Sequence, residues 1–155
     1  MICNGDFEQP RITNPNDGYW LYFKLVPCWT SATHDFELNQ NQKGMTGQSM
    51  DMDTKGQNSQ HYDQILNLTE DGEYLFKMDY IANPYQDLPE TSKFSVLFNA
   101  EEIADVTPAD LEKHELKIRV NARAGHNVLR LTNKSTTGQG AFVDNVGFYK
   151  INQDV

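Results

Sequence analysis

Positive charge is scarce in this chain. Thirteen Lys and Arg stand against 22 Asp and Glu, a net charge of −9 over 155 residues. A surface of that sign repels phosphate backbones and anionic headgroups, so no nucleic-acid partner is expected. Long apolar runs are missing as well. No stretch approaches the ~18 residues of a membrane span, and the first residues lack the basic and apolar regions of a signal peptide, so no membrane insertion is expected. Cysteine is limited to Cys3 and Cys28. Two are too few for a disulfide scaffold, and neither has a Cys or His at zinc-ligand spacing. One bridge and two free thiols are both open at this point. The four histidines, His34, His61, His114 and His126, stand apart from one another, and no His-Glu-x-x-His, nucleophile-elbow or phosphate-loop motif occurs. Acid neighbours such as Asp51 with Asp53, or Glu101 with Glu102, cannot by sequence alone be set at the carboxyl separation a glycosidase needs. No enzyme is expected.

Against these absences stand 8 Phe, 7 Tyr and 2 Trp, a content that favours a packed, β-rich core. The length suits a single domain spanning 1–155. Period-two alternation dominates. Tyr74, Phe76 and Met78 alternate with Leu75, Lys77 and Asp79, and Leu116, Ile118 and Val120 alternate with Lys117 and Arg119. Phe94, Val96 and Phe98 form a third such run, and Phe142, Asp144, Val146 and Phe148 are expected to share one face of a last strand. Further strands are expected over Ile2 to Glu8, Asp35 to Leu38, Gln48 to Asp53, Tyr62 to Leu68 and around Val128 to Leu131. Turns fall at Asp71-Gly72, Gly44, Gly47, Gly56, Gly125 and Gly138-Gln139-Gly140. Helix is confined to one short turn over Thr107 to Glu112, with Thr107 as cap and Pro108 at its first position. The segments Pro10 to Trp20 and Asn83 to Ser92 read as long surface loops. Strands with turn signals every 8–12 residues predict an all-β, antiparallel β-sandwich.

Six pieces in order carry a more specific pattern: Asn4-Gly5-Asp6-Phe7-Glu8, Pro27-Cys28-Trp29, Thr46 to Asp51, Tyr62 to Leu68, Gly72 to Phe76 and Val143-Asp144-Asn145-Val146. Together they resemble the carbohydrate-binding modules of the galactose-binding-domain-like superfamily. Those modules begin with Asn-Gly-x-Phe-Glu and a Pro-Gly-Trp loop and end with Asp-Asp-Val or Asp-Asn-Val. The resemblance runs from Asn4 to about Tyr149, and Cys28 stands where the family usually has glycine. It implies a jelly-roll sandwich, an inward-facing Trp29, and a structural Ca²⁺ joining the two ends of the chain. Carried over by position, the ligands are Asp6, Glu8, the carbonyl of Gly47 and Asp144. The residues agree in part, because acidic side chains brought together with carbonyls make an oxygen-only site, which suits Ca²⁺. Asp144 capping turn amides, with Glu8 merely solvated, is the plain alternative.

Saccharides stack their C–H faces on aromatic rings and need paired donors and acceptors for their hydroxyls. Tyr19 and Trp20, within the aromatic run Tyr19 to Phe23, are candidate platforms, as are Tyr80 and Tyr85. Gln64 is a candidate polar contact, and core packing is the alternative for each ring. The expected function is non-catalytic binding of a polysaccharide or other glycan, as a free module or as part of a larger multidomain protein. The competing expectation is a subunit that docks into an assembly, with its acidic face or the Tyr19 to Phe23 run as its protein contact. The resemblance places the chain outside the cell or on its surface. A Cys3–Cys28 bridge, closing roughly 24 residues and contributing ~3 kcal/mol in the chain-entropy treatment, would suit that compartment, as would the sequons at Asn67 and Asn133.

Overall fold

The computed structural model describes residues 2–14, 16, 18–42, 44–54, 60–86 and 88–152. The alternation becomes two antiparallel sheets. In chain order the strands are β1 (Trp20–Phe23), β2 (Thr30–Ser31), β3 (Phe36–Gln40), β4 (Gln48–Asp51), β5 (His61–Leu68), β6 (Gly72–Ile81), β7 (Phe94–Phe98), β8 (Glu101–Val106), β9 (His114–Ala122), β10 (Gly125–Asn133) and β11 (Phe142–Lys150). One sheet has the order β1-β3-β4-β11-β6-β9 and the other β2-β5-β10-β7-β8. The two are not closed into a barrel, and the fold is the antiparallel all-β sandwich expected from the alternation.

The core is built from the inward half of each alternation: Tyr74, Phe76 and Met78 from β6, Phe94, Val96 and Phe98 from β7, and Leu129 and Leu131 from β10. Fully burying one such side chain contributes about 1.5–3 kcal/mol. Rings pack within and between the sheets. Tyr74 stacks on Phe148 at 5.0 Å between centroids, and Phe148 stacks on Phe98 at 5.3 Å. Trp29 is buried against Phe7 at 5.3 Å and donates its indole N–H to the Asn4 carbonyl at 3.1 Å.

Several expectations are corrected. Ile2 to Glu8 is not a strand. Asn4 and Phe7 take left-handed φ values of 50° and 52°, and the Phe7 amide closes a turn on the Asn4 carbonyl at 3.3 Å. The segment meets the last strand where the Val146 amide donates to the Gly5 carbonyl at 2.8 Å, an approach only glycine allows, since a Cβ at position 5 would stand 2.0 Å from the Val146 oxygen. In β11 the pairing with β6 shifts between Asp144 and Gly147, with Asn145 at φ 50°. This bulge moves the inward set to Val143, Val146 and Phe148, while Phe142 leaves the main core and packs with Met45 and Ile81. Phe142, Asp144, Val146 and Phe148 therefore do not share one face.

Strands β1, β2 and β8 fall outside the expected strand segments. Trp20 opens β1 rather than closing a loop. Thr107 to Ala109 has no regular structure and Asp110 to Glu112 forms bends, whereas a 3₁₀ turn appears at Pro89–Thr91. The expected turn at Gly56 lies outside the described residues. Cys3 and Cys28 are bridged, and Cys28 holds φ 74°, the left-handed conformation expected of a glycine at that place.

Candidate functional site

Two places gather the residues singled out from the sequence. The first joins the ends of the chain. Asp144, on β11, is 3% exposed and takes the Asn145 amide at 2.8 Å. Burial pushes its carboxyl up to about 8; the Asn145 amide opposes this, and the carboxylates of Glu8, Asp79 and Asp6 push it further up. Asp79 faces it directly across β6. Glu8 accepts the Gln48 amide at 2.8 Å, and its carboxylate lies where a Gly47 side chain would be: a Cβ there would stand 2.5 Å from Glu8 Oε1. Gly47 itself has φ 73°, and its carbonyl accepts the Asn41 amide at 2.8 Å. Asp6 is exposed and accepts the Glu8 amide at 3.3 Å. Arg11 lies 3.6 Å from Glu8.

Among the described residues no three His, Cys, Asp or Glu side chains come within reach of one metal ion. A cation here would therefore rest on two carboxylates, Glu8 and Asp144, completed by backbone oxygens and water. The burial of Asp144 beside other acids, offset by the Asn145 amide, is the observation that fits such a group. Asp79 escaped sequence reasoning because its outward position in the Tyr74 to Asp79 alternation gave no hint that β11 would lie beside it.

The second place is the β1 edge. Trp20 and Tyr22 are 50% and 42% exposed, with ring centroids 5.1 Å apart at an interplanar angle of 59°. Two transverse rows run from them across the sheet. Trp20 faces Asn39, which faces Ser49, and Tyr22 faces Glu37, which faces Asp51. Asp51 is buried and Glu37 partly so. Burial raises both carboxyls; the contact between them raises Asp51 further and opposes the rise of Glu37. Tyr22 is raised by partial burial, then by Glu37 and Asp51.

The other candidates distribute as follows. Tyr19 is exposed beside Trp20, and its carbonyl accepts the Gln40 amide at 2.8 Å. Tyr85, exposed, donates its hydroxyl to Gln42 at 2.6 Å, and Gln42 donates to the Gly18 carbonyl at 3.1 Å, which links it to the segment leading into β1. Gln64 is buried in the opposite sheet and pairs with both backbone groups of Cys3, at 2.8 and 2.9 Å. Tyr80 is half-buried at the β6–β9 side, edge-on to Phe94 at 5.2 Å and beside His114 at 5.5 Å. The structure thus brings Tyr19, Trp20 and Tyr85 to one flank and sets Gln64 and Tyr80 elsewhere. Tyr22 and Glu37 were missed. The alternation in Asp35-Phe36-Glu37-Leu38-Asn39 already turned Glu37 and Asn39 away from Phe36 and Leu38, but nothing local paired that face with Tyr22.

No protein-family model matches the chain, and no curated protein is significantly similar to it in sequence. Solved structures are similar in fold. A family 35 carbohydrate-binding module from Clostridium thermocellum aligns over 85% of this chain and 92% of its own, at TM-score 0.56 and 15% identity. The C-terminal family 6 module of LamC from Zobellia galactanivorans aligns over 85% of this chain and 100% of its own, at TM-score 0.57 and 14% identity. A family 35 module from Paenibacillus barcinonensis covers 86% and 100%, at 0.54 and 16%. The chain shares with these modules a two-sheet antiparallel β-sandwich fold.

Proposed function

We propose that this chain is a non-catalytic carbohydrate-binding module. The observation that carries the reading is the pair of exposed rings, Trp20 and Tyr22, standing at the head of two polar rows at one sheet edge. The rings offer faces for pyranose C–H groups. Glu37, half-buried beside Tyr22, offers the carboxyl oxygens that hydroxyls require as acceptors. The structural likeness to carbohydrate-binding modules supports the same class. Some of those similar folds occur within longer enzymes, such as the Podospora anserina mannanase of which this chain matches 29%, and attachment to a catalytic partner fits this reading.

A structural Ca²⁺ belongs to the proposal. Glu8 and Asp144 would supply carboxylates, and the carbonyls of Asp6 and Gly47 the neutral oxygens. The ion would neutralise the acid cluster at the junction of the chain ends and take no part in chemistry. The Cys3–Cys28 bridge favours an oxidising, extracellular setting. A glycan array followed by affinity electrophoresis tests the function. Retention by at least one polysaccharide is expected, weakened about tenfold or more in Trp20→Ala, since about 1.4 kcal/mol is tenfold in affinity. Silence across plant, microbial and animal glycans would overturn it in favour of a protein partner docking on the same edge, where Leu21 and Leu25 are also exposed.

A further inference from the structure

We propose that Tyr149 is the platform of a second saccharide site, one that takes an uncharged pyranose. The inference rests on the carbohydrate-binding reading and adds a second point of attachment to it. Tyr149 lies on the outward face of β11 opposite Leu75 and is 50% exposed. Its ring lies over Gly147, where a Cβ would stand 2.4 Å from the ring edge and 2.7 Å from the hydroxyl oxygen. Glycine inside a strand costs about 0.5–1 kcal/mol relative to alanine. Here it makes room for a half-exposed ring rather than for the core, and a bare glycine in a strand commonly marks a place of close approach.

The ring borders a cavity of about 300 Å³ whose walls include Asn4, Asp6, Asn145 and Val146. Asn4 is fully engaged: its amide nitrogen donates to the carbonyls of Gln9 and Pro27, and its oxygen accepts from Gln9. Asn145 donates its side-chain N–H to Asp79 at 2.9 Å. Among the described residues no hydrogen bond engages Asn145 Oδ1, Asp6 Oδ2 or Tyr149 Oη. Two acceptors and one hydroxyl therefore stand beside an open aromatic face, a set that complements the C–H face and donating hydroxyls of a sugar ring. Asp6 lines the cavity with no Lys or Arg among the described lining residues, and Asp79 holds Asn145 at its wall, so a uronate or sulfated sugar is repelled and an uncharged one preferred.

Tyr149 and Tyr22 open on the same face of the six-stranded sheet. Three strand spacings separate β1 from β11, roughly 14 Å, and Phe142 to Tyr149 spans roughly 20 Å along β11. Two such points on one face give avidity for a polymer that neither has alone.

Isothermal titration with laminarihexaose, xylohexaose and mannohexaose tests this, with trigalacturonate as the anionic control. Two equivalents of an uncharged probe per chain are expected for the wild type. One is expected for Tyr149→Ala and for Gly147→Ala, whose methyl pushes the ring off its seat. Trp20→Ala should lose the other equivalent. Retention on the polymeric form should fall on the order of 10²-fold in Tyr149→Ala. A single equivalent in the wild type, lost in Trp20→Ala and unchanged in Tyr149→Ala, would overturn the second site and leave the carbohydrate-binding reading standing. A preference of the Tyr149 site for trigalacturonate would overturn the assigned sugar class. No binding of any probe by any variant would remove both readings.

Discussion

Cys28 shows how one residue can be held in a conformation its side chain disfavours. Its φ of 74° belongs to the region that a Cβ penalises by roughly 1–2 kcal/mol, and the bond to Cys3 keeps it there while tying the first residues to the loop that carries Trp29. The bridge spans a sequence separation of 25, so cutting it returns about 3 kcal/mol of chain entropy to the unfolded state. Cys3→Ser with Cys28→Ser should lower stability by about that amount in urea or thermal unfolding. A change below about 1 kcal/mol would mean that the turn at residues 4–7 and the Trp29 indole bond already hold the segment. The resemblance implied an inward Trp29; that its partner is Phe7, in a turn and not a strand, it did not reveal.

Among the elements, β11 and the β3–β4 pair depart most from their patterns. The bulge at Asn145 re-aims Asp144 and separates Phe142 from Phe148, and it depends on a residue that accepts a left-handed φ. Asn145→Val should destabilise the fold by about 1–3 kcal/mol, whereas Asn145→Gly should cost less, and comparing the two by denaturant titration isolates the backbone effect from loss of the Asp79 hydrogen bond. The Glu37–Asp51 pair carries a pH signature. Both carboxyls are raised above their ordinary values, chiefly by burial, so the folded state binds more protons than the unfolded chain. The stability this confers is full below about pH 4, where the unfolded groups titrate, and is lost as pH rises through the folded-state values. The difference in melting temperature between wild type and Asp51→Asn should therefore shift against the wild type on going from about pH 4 toward neutrality. A constant difference would show that the pair stays ionised when folded.

On the scale of the whole molecule, the chain ends meet where Gly5 approaches Val146, and acid groups from three separate stretches of sequence collect beside that junction. A bound cation would stabilise the folded state by about 2.7 kcal/mol at 100 times its dissociation constant. Chelator should lower the melting temperature, added Ca²⁺ should restore it, and Asp144→Ala should abolish the response. A melt indifferent to chelator and Ca²⁺ alike would refute the clamp and leave the sandwich and its ring platforms untouched.

Sequence alone determined the sandwich. Alternation in β6, β7 and β9 is a local consequence of one buried face, and ring-rich strands can bury that face only against another sheet. It also raised Trp20, Tyr85 and Asp144 as site candidates, with packing or turn capping as their alternatives. Tertiary structure decided what those residues face. Strand pairing set Tyr22 beside Glu37, the bulge turned Asp144 toward Asp79, and Gly147 bared the sheet beneath Tyr149. Each of these depends on register between segments far apart in the chain, and a period-two pattern defines which face a residue occupies but not which neighbour it meets there.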